Sequence, residues 1–240
     1  GSRPIPPVPE HATRAVLVLE QYAHLARVDV REAMYQSLRS EHRVIRFPSL
    51  VLMTLWPFAC VDRRPRANPS ERYPWGDSVA IEVASMGLPR AEIFQRYMDV
   101  SAAKMPDLDK LLTYDREVMK RCEKVCDVNM ADVIFARMRT QHLFWTWRYV
   151  SGILMRELIL RLVEHGQDVF GDLDATSEMH VNTACMMEQA QTDAQFPIHP
   201  LVAERLGLTY IDAAVTYRWF GHRWTFEEYM TRYIALDPEW

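Results

Sequence analysis

His199 is the residue whose type and setting best suit acid–base chemistry. It lies in the segment FPIHP (196–200), where prolines on both sides restrict the backbone. An imidazole held in this way can act as a general base near neutral pH, and His199 is our candidate catalytic residue. The same pattern also fits a histidine that packs at a helix entrance and has no chemical role.

Cysteines offer a second kind of chemistry. Cys60 follows the strand-like run TLWPFA and could be a nucleophile if a base lay beside it. Cys122 and Cys126 are four residues apart on a predicted helix, with Met119 and Val125 as apolar neighbours. They are predicted to be buried, inert thiols. No Cys/His set has zinc spacing and no acidic run has a complete calcium-loop pattern, so we predict no metal site.

An arginine-rich loop is the candidate for phosphate binding. Residues 57–75 contain four prolines and four arginines against two acidic residues, giving 4 − 2 = +2 in a chain whose net charge is −4. A guanidinium fork matches the oxygens of a phosphate group. Arg63, Arg64 and Arg66 are therefore candidate ligand-binding residues. A solvated surface loop explains the same composition.

Three further positions could contact a ligand near the ends of elements. Gln21 follows the apolar run AVLVLE (15–20), at the carboxyl end where α/β sheets bind ligands. Trp75, Asp77 and Ser78 surround a helix start, where backbone N–H groups attract anions. The alternatives are a loop-anchoring role for Gln21 and a simple helix N-cap for Asp77.

Between 107 and 163 the sequence predicts one long helix, a short aromatic crossing (HLFWTWRYV, 142–150) and a second helix. The crossing is rich in residues that favour strands. We expect Thr146 and Arg148 to face a cleft, because nothing local requires them. Arg148 and Tyr149 are therefore candidate ligand contacts, although Arg148 could equally pair with an internal carboxylate such as Glu157.

The elements predict an α/β fold, helix-dominated, with a small parallel sheet packed by seven or eight helices. AVLVLE is typical of a buried parallel strand, and residues 44–47 form a second strand that ends at Pro48. A helix over about 29–42 would connect them as a right-handed βαβ unit. Residues 1–240 are predicted to be a single domain.

Helix boundaries are marked by local signals. Asp77 or Ser78 begins a helix that stops at Gly87, and Pro200 begins a short helix that closes at Gly207. Thr225 with Glu228 predicts a capping box for the last helix.

Composition excludes several functional classes. The acidic net charge provides no general attraction for nucleic acid, and no apolar run approaches the roughly 18 residues that span a bilayer. No signal peptide is visible in this form. The cysteines do not suggest a disulfide framework, so we expect a cytoplasmic protein. Between 162 and 203 there is no Lys or Arg. This acidic stretch could dock a basic loop, which leaves a protein partner or a homo-oligomer open.

Several stretches, taken in order, resemble the WcbI-like capsule-polysaccharide biosynthesis acetyltransferase family. They are AVLVLEQ, VIRFPSLVLMTLWPF, GLPRAEIFQRYM, DREVMKRCEKVCDVNMADVIFARM before the aromatic crossing, FPIHPLVAERLGL and YRWFGHRWTFEEYMTRYIAL. The resemblance implies coenzyme A or acetyl-coenzyme A as donor and a saccharide-like acceptor.

Three features of the family pattern are absent. The family's strand ends in Gly-Asn-Cys-Gln, with the Cys as nucleophile, and this chain lacks that motif. Arg148-Tyr149-Val150 replaces the family's Asn-His-Pro. Family members also have a histidine just before the helix that starts here at Asp77, and this chain has Gly76 near that position. We expect about 25–40 further residues upstream, containing a strand and a helix. Two hypotheses follow: an acyltransferase-like enzyme using an acyl-coenzyme A donor, or a catalytically inactive homologue that serves as a binding or assembly subunit.

Overall fold

The computed structural model describes residues 16–21, 43–64, 76–191 and 194–236. These residues contain nine α-helices and three two-stranded sheets, which confirms the helix-dominated α/β class. The strands are β1 (Val16–Gln21), β2 (Arg43–Pro48), β3 (Ala59–Cys60), β4 (Gly76–Asp77), β5 (Tyr217–Trp219) and β6 (His222–Trp224). The helices are α1 (Ser78–Ala84), α2 (Arg90–Lys104), α3 (Leu108–Glu123), α4 (Ala131–Arg137), α5 (Gly152–His165), α6 (Gln167–Phe170), α7 (Ala175–Gln191), α8 (Pro200–Leu206) and α9 (Phe226–Ala235).

The parallel pairing predicted for the first two strands is confirmed. β1 and β2 pair in parallel from Val16 with Arg43 to Gln21 with Pro48. The helix predicted over 29–42 lies outside the described residues. Val18 is 44 % exposed, so the prediction of a strand buried on both faces is wrong. An apolar run indicates that a strand can be buried, but not what covers each face.

Two hydrophobic cores organise the chain. The larger one joins β2, α3, α4, α5 and α8 around fully buried side chains such as Ile45, Leu52 and Phe144. The smaller one joins α1, α2, α9 and the β5–β6 hairpin around Tyr97 and Trp219. The extended segment 194–199 contributes to the larger core through Phe196 and Ile198 and pairs with β5 at Ala194.

The single helix predicted from 107 to 141 is wrong, because it breaks between α3 and α4. Asp127 and Val128 donate backbone hydrogen bonds to the carbonyl of Arg46, at 2.8 and 3.0 Å. The Glu123 carboxylate accepts from the N–H groups of Met130 and Ala131, at 2.6 and 2.7 Å. The chain leaves the helix to bind β2, a tertiary interaction that helical periodicity does not reveal.

The aromatic crossing is a tight turn closed by a bridge between Phe144 and Val150. Thr146 Oγ1 accepts hydrogen bonds from the N–H groups of Tyr149 and Arg148, at 3.0 and 3.3 Å. Thr146 is 2 % exposed. The expectation that Thr146 faces a cleft is therefore wrong, because its hydroxyl satisfies backbone donors inside the turn.

Local end signals were reliable. Asp77 caps α1 through the N–H of Ala80, and Thr225 and Glu228 form the predicted capping box. α8 begins at Pro200 and ends at Gly207, which has a left-handed φ of 65°. Within the described ranges, no helix combines the length and the apolarity that a membrane crossing requires.

Candidate functional site

The β3–β4 hairpin brings two carboxylates together. Ala59 pairs with Asp77, and Cys60 pairs with Gly76. A Cβ at Gly76 would lie 2.8 Å from Asp62 Cβ and 2.9 Å from its backbone nitrogen. Only glycine permits this approach, so Gly76 is the residue that lets the chain around Asp62 lie against the strand leading to Asp77.

Asp62 is held by a cation and a phenol. Arg64 Nη2 donates to Asp62 Oδ2 at 2.8 Å, and Tyr233 Oη donates to the same oxygen at 2.9 Å. Burial alone would raise the pKa of Asp62, but the hydrogen bonds from Arg64 and Tyr233 outweigh it and lower the pKa below the ordinary value. Asp62 is therefore a fixed anion.

Asp77, unlike Asp62, has a pKa that suits proton exchange. Its Oδ1 accepts from the N–H of Ala80 at 2.8 Å, and its Oδ2 accepts from Tyr97 Oη at 2.9 Å. Its own N–H donates to Tyr233 Oη at 3.0 Å. Burial raises the pKa of Asp77 to about 6, although these hydrogen bonds favour the anion. A carboxyl that titrates near neutral pH in a cavity can exchange protons with a ligand.

Asp77 lines a small cavity, the hairpin cavity, of about 40 Å³. The other polar side chains in its wall are Tyr97, His199, Tyr229 and Tyr233, and the rest of the wall is mainly apolar, with Trp56, Phe58 and Phe196. This volume holds a few water molecules. A substrate that reaches Asp77 must therefore widen the opening.

The structure places His199 in the wall of the same cavity, where it caps a helix. His199 is 4 % exposed, and its Nδ1 accepts from the N–H of Leu201 at 3.1 Å. Nε2 then carries the proton and lies 2.8 Å from Ser101 Oγ, which donates to the carbonyl of Met98. Burial, with a smaller contribution from Arg205, lowers the pKa of His199 to about 4. Both ring nitrogens are engaged, so acting as a base would require the bond to Leu201 to open.

Cys60 lies near Asp62 and Asp77, and these residues do not activate its thiol. Burial and the negative charges of Asp77 and Asp62 raise the pKa of the Cys60 thiol, and Arg64 offsets them only in part. Cys122 is buried and donates from Sγ to the carbonyl of Gln21 at 2.9 Å. Hydrogen bonding to Cys122 and burial raise the pKa of the Cys126 thiol. The prediction of two buried thiols on one helix is correct for Cys122 and wrong for Cys126, which is half-buried and lies beyond the end of α3 at Glu123.

The arginines of the loop divide into an internal and an exposed one. Arg64 donates to Asp62 and to the backbone carbonyls of Ile234 and Tyr233, with its guanidinium 4.8 Å from the Tyr233 ring centre. Arg63 is exposed and is the described guanidinium of the loop that a ligand can reach. Arg66 and Trp75 lie outside the described residues.

The other predicted site residues lie elsewhere. Gln21 is buried, and its carbonyl accepts from the N–H of Ser49 at 2.7 Å. The Arg148 guanidinium lies 5.1 Å from the Trp147 ring centre, and Tyr149 is 61 % exposed. Ser78 is the first residue of α1, and its N–H donates to the carbonyl of Phe58. Of the predicted residues that the structure describes, Asp77 and His199 line the hairpin cavity and the others do not.

Sequence reasoning missed Asp62, Tyr97, Ser101 and Tyr233. Tyr233 lies 171 positions from Asp62, and Ser101 lies 98 positions from His199. No local pattern connects such partners. In the described part of the chain, no group of three or more His, Cys, Asp or Glu side chains could hold a metal ion.

The described residues thus define a helix-dominated α/β protein with an ionisable side chain, Asp77, in the wall of the hairpin cavity. Residues 8–195 match the family model of the polysaccharide biosynthesis enzyme WcbI. The match spans well over half of the sequence, and the chain belongs to this family of polysaccharide biosynthesis proteins.

A solved structure of WcbI supports the same fold. That protein is described as a novel polysaccharide biosynthesis enzyme, in a native form without a disulfide bond between coenzyme A and one of its cysteines. It is 14% identical to this chain, with a TM-score of 0.60, and the match covers 93% of this chain and 72% of that one. At this identity the likeness establishes the fold alone. No curated protein matches the chain.

Proposed function

We propose that this protein transfers an acyl group from coenzyme A to a hydroxyl of a saccharide, with Asp77 as the proton acceptor. The observation that carries the proposal is a carboxyl in a cavity wall whose pKa is raised to about 6. Membership of a polysaccharide biosynthesis family supports the acceptor class. The WcbI relative, described in connection with coenzyme A, supports the donor.

The chemistry needs no cysteine nucleophile. The acceptor hydroxyl oxygen attacks the thioester carbonyl, and the Asp77 carboxylate takes the hydroxyl proton. The tetrahedral intermediate then expels the coenzyme A sulfur, which receives that proton from Asp77 and leaves as a thiol. Tyr97 and the N–H of Ala80 hold the Asp77 carboxylate in place through both oxygens. Direct transfer also agrees with the raised pKa of the Cys60 thiol, which disfavours a thiolate nucleophile at that position.

The remaining predicted residues have narrower proposed roles. Arg63 would contact a coenzyme A phosphate, because Arg64 is already bound to Asp62 and two backbone carbonyls. Gln21, Arg148 and Tyr149 stay proposed ligand contacts away from the hairpin cavity. We place the protein in the cytoplasm, as one domain, with the acyl donor present there.

Asp77→Asn is the direct test. Asparagine keeps an oxygen for the N–H of Ala80 and remains a good N-cap, so the fold is retained. It cannot take a proton. We expect transfer from acetyl-coenzyme A to fall about 100-fold or more, the range of general-base contributions. For the unchanged protein, kcat/KM should rise with pH through about 6 as Asp77 ionises.

Two controls make the test specific. Asp107→Asn replaces another N-cap aspartate, at the start of α3, and should leave transfer unchanged. Coenzyme A binding to Asp77→Asn, measured by calorimetry, should match that of the unchanged protein. Transfer by Asp77→Asn at the original rate would refute the assigned proton acceptor.

An inactive homologue that acts as a binding or assembly subunit is the second candidate. It is favoured by the engaged ring nitrogens of His199 and the raised pKa values of Cys60 and Cys126. This candidate predicts that no transfer occurs and that the protein associates with itself or a partner in a salt-dependent way. Light scattering at low and high salt, with an acyl-transfer assay, separates the two. A monomer at every salt concentration that transfers acyl groups would exclude it.

A further inference from the structure

A second and larger cavity lies behind the hairpin cavity. It is a groove of about 710 Å³ between α8, the 207–217 segment and the start of α9. Phe196, Pro197 and His199 line the hairpin cavity, whereas Ile198 and Pro200 line the groove. The same stretch of chain therefore contributes to the walls of both cavities. The volume lies in the range of small-molecule sites.

The groove combines an apolar wall with an acidic rim. Rings from three elements form much of the wall: Phe94, Tyr217 and Phe226. The rim carries the carboxylates of Glu204, Asp212 and Glu227, all on exposed residues. Among the residues that the structure describes, no Lys, Arg or His lines the groove.

The rim carboxylates are not neutralised within the described residues. None of the ion pairs found there involves Glu204, Asp212 or Glu227. Asp212 Oδ1 accepts a hydrogen bond from the N–H of Ala214 at 2.8 Å. Three such charges around an apolar wall repel phosphate groups and attract cations. The groove therefore suits a cationic ligand better than the phosphate-bearing coenzyme A donor.

We propose that the groove binds an amine-bearing saccharide. Its ammonium groups would pair with the rim carboxylates, its hydroxyls would donate to them and to nearby threonine oxygens, and its apolar ring faces would pack on Tyr217 and Phe226. Calling this ligand the acyl acceptor rests on the proposed function; binding in the groove does not. The groove would hold the part of the acceptor that is remote from the reacting hydroxyl, because the rings of Phe226 and His199, 5.4 Å apart, lie between the two cavities.

Calorimetric titration with two matched probes tests the proposal. The probes are a glucosamine trisaccharide, which carries free amines, and an N-acetylglucosamine trisaccharide, which has the same rings without the charge. We expect the free-amine probe to bind more tightly, and its affinity to fall with added salt as the charges are screened. Equal affinity for the two probes, or no binding of the free-amine probe at millimolar concentration, would overturn the proposal.

The variant Glu204→Gln/Glu227→Gln locates the binding in the groove. Both residues are exposed, so the fold is retained. The variant loses two charge pairs with the ligand on a solvated rim, and we expect its affinity for the free-amine probe to be about three- to tenfold weaker. Glu117→Gln removes an exposed carboxylate of α3 that is not part of the groove lining, and this variant should bind as the unchanged protein does. Undiminished binding by the double variant would also overturn the assignment.

The two proposals fail separately. Binding of the free-amine probe without any coenzyme A binding or acyl transfer would end the proposed function and keep the groove assignment. Transfer to a neutral saccharide, with no preference for the free-amine probe, would end the groove assignment and keep the proposed function.

Discussion

The hairpin cluster, formed by Asp62, Arg64, Asp77, Tyr97 and Tyr233, differs from the acidic groove in how its charges are satisfied. In the cluster, each carboxylate oxygen that is used accepts from a phenol, a guanidinium or a backbone N–H. In the groove, the three rim carboxylates have no cation among the described residues. Removing one partner of a buried charge pair destabilises the fold, because the other charge is left buried without its partner. Exposed charges without an ion-pair partner cost little in the fold and remain available to a ligand.

The largest effect is expected when Asp62 is removed. Asp62→Ala leaves the half-buried Arg64 without its carboxylate and Tyr233 without its acceptor, so we expect unfolding free energy to fall by about 4 kcal/mol. Urea denaturation measures this. The matched control is Asp132→Ala, which breaks an ion pair with Arg161 in which Asp132 is 66% exposed. That change should cost no more than about 1 kcal/mol. Equal losses would contradict the distinction between the two regions.

A pH series tests how His199, in the wall between the two cavities, contributes to stability. The pKa of His199 is about 4 in the folded chain, below its ordinary 6.5, so the unfolded chain takes up the proton first. Stability from this residue is therefore present above pH 6.5 and lost as pH falls towards 4, by about 3 kcal/mol.

His199→Asn keeps a capping side chain for Leu201 and should flatten this dependence. The comparison isolates His199, because Asp77 and His142, which also have shifted pKa values, are present in both proteins. His222→Asn, at an exposed position, should keep the original pH dependence. Thermal unfolding between pH 4 and 7.5 provides the measurement, and an unchanged slope in His199→Asn would contradict the burial argument.

The close approach in the hairpin should be sensitive to a single methyl group. Gly76→Ala places a Cβ against the backbone of Asp62, where little can move, and we expect a loss of about 2 kcal/mol. At Gly166 a Cβ would also meet atoms nearer than 3 Å, but these are the side-chain ends of Phe170 and Ile45. Phe170 is 47% exposed and can rotate. Gly166→Ala should therefore cost less than Gly76→Ala in the same denaturation experiment.

The smallest effect is expected at the groove. Glu204→Gln/Glu227→Gln should change unfolding free energy by less than about 0.5 kcal/mol, because exposed unpaired carboxylates contribute little to the fold. Denaturation at low salt, where exposed charges matter most, is the stringent condition. A large loss there would mean that the rim carboxylates have structural partners, and the contrast with the hairpin cluster would disappear.

Much of the architecture could be predicted from local sequence. The Asp77 cap, the start of α8 at Pro200 and the Thr225–Glu228 capping box follow from neighbouring residues. The parallel pairing of β1 and β2 follows instead from the predicted order of strand, helix and strand. Of the site, only the participation of Asp77 and His199 was predicted. The catalytic role assigned to His199 remains a prediction. The sequence around His199 does not reveal that Ser101 binds one of its ring nitrogens.

The sequence by itself determined where elements begin and end, since caps, prolines and left-handed glycines act within about four residues. Tertiary structure decided the rest. It broke the long helix where Asp127 and Val128 bind Arg46, and it joined Asp62 to Tyr233. It also set the pKa of Asp77 to about 6. A pKa depends on burial and on charges within a few ångströms, and those neighbours are distant in sequence until the chain folds.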